Sequence, residues 1–180
     1  MSYQYWTPIS SLDDVELIEM AWGALLKKWD ADKVNAISAT KNSNFSKTVR
    51  SLPELDFNPD PPRISVEEVN FEIWTEFYLI PGKIDEAMEV VREIKQLAAS
   101  KQYNDPWYWF EAGFGYETPC LIVGVLSKDP EDAAKQQKVF EEEFREEIEG
   151  LRTRFYQCVR KKKEVKMTYL RELSYQPAAE

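Results

Sequence analysis

The order in which hydrophobic period changes between Phe71 and Pro177 constrains this chain more than any other feature. Phe71 to Ile80 (FEIWTEFYLI) alternates, with Phe71, Ile73, Thr75, Phe77 and Leu79 on one face and Glu72, Trp74, Glu76, Tyr78 and Ile80 on the other. Both faces are partly apolar, so both are expected to be covered. Pro81 and Gly82 end this strand, and Ile84, Ala87, Val91, Ile94 and Ala98 then recur at helical spacing. Asn104 to Pro106 turn the chain into an aromatic strand, Trp107 to Phe114, and Tyr116 to Pro119 make a tight connection. Cys120 to Leu126 (CLIVGVL) is apolar enough for the middle of a sheet. Asp129 followed by Pro130 opens a helix whose stripe is Phe140, Phe144, Ile148, Leu151, Phe155 and Val159. The basic run Arg160 to Lys163 is expected to close that helix, where cations suit the negative end of the dipole, and Val165 to Tyr175 reads as the last strand. Strand, helix, strand, strand, helix, strand is the ferredoxin-like α+β pattern, a βαββαβ unit with sheet order 4-1-3-2.

The preceding third reads as an incomplete copy of the same unit. Tyr3 to Ile9 is β-prone, with Pro8 near its end. Ser11 is placed to cap a helix whose apolar stripe, Val15, Ile18, Trp22, Leu25 and Trp29, is expected to lie on a sheet. Lys41 to Ser46 is a polar turn, and Thr48 to Phe57 reads as a strand interrupted at Pro53. ELDFNP at 54–59 matches ELSYQP at 172–177 in residue type, and TPISSLDD at 7–14 mirrors GVLSKDPED at 124–132. Two matched ends around the same elements argue for duplication. The expected organisation is an incomplete β-α-β repeat over 1–59, a proline-rich linker over 60–70, a complete repeat over 71–177 and a tail over 178–180.

With this pairing of units, its aromatic strands and its strand-ending E-L-[DS]-[FY]-[NQ]-P, the chain resembles the dimeric α/β-barrel superfamily, which includes the NIPSNAP and antibiotic-biosynthesis-monooxygenase groups. Within it, the likeness is to bacterial two-repeat proteins. The resemblance implies a barrel-type arrangement of the repeats, and it transfers no active-site residue. It also implies a strand–helix–strand ahead of Tyr3, so the first copy would lack the strand between Tyr3–Ile9 and Thr48–Phe57. An open edge of that kind invites association, and a homodimer or higher homo-oligomer is expected. Met1 to Pro8 has no signal-peptide pattern, so the chain as given reads as cytoplasmic; a leader ahead of a missing segment would make it exported.

A net charge of −9 argues against nucleic-acid and anionic-membrane surfaces, which would repel the chain. The sequence holds no histidine, which removes the commonest general base and the commonest nitrogen ligand of zinc and haem. Cys120 and Cys158 fall in apolar settings and read as free thiols. No cofactor and no metal is expected. Trp74, Tyr78, Trp107, Trp109, Phe110, Phe114 and Tyr116 supply either core packing or a pocket for a small apolar or planar ligand, and both readings stand. Glu72, Glu76 and Glu111 are candidates for one face, shared with Trp74 and Trp109. A carboxylate desolvated there could serve as a general base, Glu76 foremost, in a cofactor-independent monooxygenase- or isomerase-type enzyme. The function readings are a ligand-binding protein that assembles through its sheets, such an enzyme, or a purely structural protein.

Overall fold

The computed structural model describes residues 6–39 and 46–171. The chain divides into two units, residues 1–45 and 46–180.

The first unit is helical among its described residues, with α1 (Asp13–Leu26) and α2 (Ala31–Ala39). The cap expected from Ser11 does not form, and the N-cap position, Leu12, offers no side-chain acceptor. Asp14 Oδ2 instead ties down the entering chain, accepting from the backbone N–H of Ser10 at 2.6 Å and of Ser11 at 2.9 Å, with Asp13 and Glu16 adding negative charge to the first turn. Residues 6–9 of the expected first strand form no strand, and its beginning lies outside the described residues. α1 buries none of its residues, and among the described residues of this unit no strand forms under its stripe.

The second unit is built on one five-stranded antiparallel sheet in the order β1-β3-β4-β2-β5, where β1 is Val49–Ser51, β2 Phe71–Leu79, β3 Trp107–Ala112, β4 Cys120–Ser127 and β5 Val159–Thr168. Read from β2 onward, the strand order is the expected 4-1-3-2, and the fold class is α+β with a ferredoxin-like sheet. α3 (Ile84–Ser100), α4 (Pro130–Glu143) and α5 (Arg145–Gln157) supply the helices. Asp129 caps α4 as expected, accepting from the Asp132 N–H at 2.8 Å with Pro130 at the first turn.

Three expectations are corrected. The strand expected over Thr48–Phe57 is not part of an N-terminal copy. It adds to the outer edge of β3, pairing Val49 with Ala112 and Ser51 with Phe110, because β3 offers it an unfilled backbone ladder. After the break at Pro53, Asp56 Oδ1 accepts from the Trp109 N–H at 2.6 Å, and Phe57 then bridges to Trp107. The long helix expected from Pro130 onward is two helices, broken at Phe144, whose side chain is wholly buried against Phe140 and Tyr103. The basic run does not end a helix. Arg160 to Lys163 lie within β5, which starts earlier than expected because its backbone completes the ladder along the free edge of β2. The second E-L-x-[FY] motif, at 172–177, lies outside the described residues.

The stretch expected as a proline-rich linker is pinned down by Arg63. The Arg63 N–H donates to the Asn104 carbonyl, and its guanidinium bonds Asp105 at 2.9 Å and Asp132 at 3.0 Å. Asp105 is buried, and its desolvation outweighs the guanidinium and raises its pKa.

Strand alternation gives the sheet two unlike faces. Phe77, Leu79, Trp107, Trp109 and Leu121 join Ala87, Val90, Val91 and Ala98 of α3 and Phe144, Ile148 and Phe155 in one core beneath the helices. Trp74, Tyr78, Ala112, Cys120 and Ile122 form a second cluster on the opposite face, flanked by Val49, Phe110, Tyr116, Val165 and Met167.

Candidate functional site on the sheet face away from the helices

The face away from the helices is laid out by register. Directly opposite residues of an antiparallel pair share a face, so one row runs Ser51, Phe110, Ile122, Glu76, Lys163, and the next runs Tyr108, Gly124, Trp74, Val165. A third row sets Glu72 between Leu126 and Met167.

Gly124 organises the middle of this face. A Cβ at that position would lie 2.7 Å from Glu72 Oε1 and 3.7 Å from Trp74 Cε3. The missing side chain therefore leaves room for two neighbours. Trp74 crosses the central strand to stack on Phe110 at 5.0 Å between ring centroids, and the Glu72 carboxyl lies over the same gap. Glu72 has no hydrogen-bond or ion-pair partner among the described residues. Burial alone pushes its pKa from an ordinary 4.5 to about 7.

Glu76, four residues on, is handled in the opposite way. It is 3% exposed, accepts a hydrogen bond from the Tyr78 hydroxyl at 2.5 Å and has Lys163 Nζ at 3.5 Å. The buried carboxylate holds nearby groups in their protonated forms. Desolvation first and Glu76 second push Cys120 and Tyr116 each up to about 12, and Tyr78 is raised by its own burial and by the bond to Glu76. Cations rim this cluster: Lys47 sits 4.0 Å from the Tyr116 ring centre and Lys161 4.7 Å from that of Tyr78.

The candidate residues therefore separate. Glu72, Trp74, Glu76, Tyr78 and Tyr116 come together, with Phe110 beside them. Trp107 and Trp109 do not join them, because they pair with Val125 and Val123 on the helix-covered face. There Trp107 donates to the Leu55 carbonyl at 3.3 Å and stacks on Phe57, while Trp109 lies between Phe77 and Phe155. Glu111 shares that register, and its carboxylate is ion-paired with Arg50. No cavity can be lined by both Trp74 and Trp109, and the three glutamates cannot meet on one ligand or cation. Phe114 is 77% exposed in the β3–β4 connection, where its N–H donates to Thr48 Oγ1 at 2.8 Å. Among the described residues, no group of three or more acidic or thiol side chains is arranged to hold a metal ion, and no helix is long and apolar enough to cross a membrane. Gly124 is the site residue that the sequence reading missed; the available signal was a lone glycine inside an apolar strand.

No protein-family model matches the chain, and no curated protein matches it. Among solved structures, it is similar to a "putative monooxygenase" from Fusobacterium nucleatum subsp. nucleatum, at 14% identity and a TM-score of 0.45, covering 83% of this chain. The match spans 64% of that protein's length, and the likeness is a distant one.

Proposed function

We propose that the sheet face away from the helices binds a small planar organic molecule that carries a hydrogen-bond donor, with the half-buried Glu72 as the acceptor and the Trp74–Phe110 stack beside it. The observation that carries this reading is the Glu72 carboxyl, half-buried over Gly124 and without a hydrogen-bond or ion-pair partner among the described residues. A carboxyl whose surroundings disfavour its charge gains from a ligand that supplies a donor. A titration with 1-naphthol and its methyl ether, followed by tryptophan fluorescence, tests it. Naphthol is expected to bind, its ether to bind at least tenfold more weakly, and Glu72→Gln to remove the pH dependence of binding around pH 7. Equal binding of both probes, or of both proteins at every pH, would sink the reading.

A second reading gives the same group a catalytic task. A cofactor-independent monooxygenase- or isomerase-type reaction would need a general base, and Glu72 suits that task better than Glu76, whose carboxyl already has Tyr78 and Lys163. Such a base would show itself as protein-dependent exchange of a carbon-bound proton of a β-diketone with D2O, absent in Glu72→Gln. Assembly of two copies through this half-covered aromatic face belongs to the same proposal, and light scattering that finds a monomer at every concentration would count against it.

A further inference from the structure

β5 forms one border of the sheet, and among the described residues no strand pairs with its outer side. It runs for ten residues, seven of them exposed and none buried. Its register shows which backbone groups face outward. The Tyr169 N–H donates to the Asn70 carbonyl, so Phe71 and Thr168 form a non-hydrogen-bonded pair, as do the pairs two, four and six residues along. The N–H and C=O groups of Lys162, Glu164, Lys166 and Thr168 therefore point away from β2. Those of Lys161, Lys163, Val165 and Met167 are used within the sheet.

The side chains on this border are basic in an otherwise acidic protein. Arg160, Lys161, Lys162, Lys163 and Lys166 outnumber the acids they pair with, Glu117, Glu164 and Glu76, so the border keeps an excess of positive charge. Lysines along an edge repel a second copy of the same edge, which would set like charges opposite one another. They do not repel an acidic strand. The opposite border differs: β1 is three residues long, and its one base, Arg50, is matched by one acid, Glu111.

We propose that β5 is a docking edge for an extended acidic peptide segment, which adds as an antiparallel sixth strand. The fit specifies a pattern. Acids belong opposite Lys161, Lys162, Lys163 and Lys166, with an uncharged or basic residue opposite Glu164 and a β-branched residue opposite Val165. This inference is independent of the ligand reading, because it uses only the backbone edge and side chains of β5.

The probe is a capped peptide, Val-Glu-Val-Thr-Glu-Glu-Glu, with three controls: a version with lysine for glutamate, a version N-methylated at the N–H groups that would face β5, and polyglutamate. The full-length protein is used throughout. Binding of the acidic peptide is expected to slow hydrogen exchange at Lys162, Glu164, Lys166 and Thr168 while leaving Lys161, Lys163 and Val165 unchanged. N-methylation should weaken binding at least tenfold. Lys162→Glu with Lys166→Glu, both exposed positions, should lose the acidic peptide tenfold and gain the lysine version. The proposal is overturned if no peptide binds at millimolar concentration, if N-methylation has no effect, or if polyglutamate binds as well without slowing the outward amides.

Discussion

The two faces of the sheet come from the same strands yet treat polarity in opposite ways. Under the helices, β2 contributes Phe77 and Leu79 to a core of aromatic rings and small helix residues. On the face away from the helices it contributes Glu72, Trp74, Glu76 and Tyr78, placing two carboxyl groups and a phenol at alternate positions of one strand. A face kept only for stability has little reason to bury carboxyls, since each costs solvation that hydrocarbon would not. The helix-covered face holds the fold together, and the other face spends part of that stability on placing acidic groups.

The largest test of this contrast is deletion beneath the helices. Phe77→Ala or Phe144→Ala should cost about 3–5 kcal/mol in urea unfolding, more than any change on the other face. Tyr78→Phe comes next. It takes from Glu76 its hydroxyl donor and should cost about 1–3 kcal/mol, and no loss would mean that water or Lys163 satisfies Glu76 instead. Glu72→Gln should act in the other direction. The Glu72 pKa is raised on folding, so the stability gained from holding its proton is present below 4.5 and lost as pH rises through about 7. The glutamine variant should therefore match wild type in acid and exceed it above neutrality by about 1–2 kcal/mol, the full shift being discounted for partial exposure. The smallest effect belongs to Gly124→Ala. Its methyl would displace the mobile end of Glu72 toward water, leaving stability within about 1 kcal/mol of wild type while the Glu72 pKa, followed by carboxyl NMR, falls toward 4.5. An unmoved pKa would show that Gly124 does not set that environment.

The alternation of β2 was legible residue by residue, and so were the helix α3, the cap at Asp129 and the strand β4. What failed was the relation between strands. Placing Trp109 and Glu111 with Trp74 required the register of β3 on β4, which the turn from Gly113 to Pro119 sets, and a slip of one residue exchanges the faces of a whole strand. Aromatic residues at both parities of β3 left its pattern without a preference. The basic run misled for a related reason. Arg160 to Lys163 have no hydrophobic period, so a helix end and a lysine-protected edge strand look alike until β2 is seen to lack a neighbour. Glu72 and Glu76 could be placed on one face from sequence, and so could Tyr78, but their unlike treatment also depends on Lys163 of β5 and the gap at Gly124 of β4, neither of which is local in sequence.

The pairing of β2 with β5 also has a consequence in time. Phe71 meets Thr168, so β2 waits for a strand that is synthesised only after α3, β3, β4, α4 and α5. During that interval β2 has β4 on one side and an unfilled ladder on the other, and the closure it awaits spans most of the unit. Chains released before β5 is made should expose that aromatic, β-prone border and be recovered mainly as aggregates, whereas chains ending just after Thr168 should stay in solution.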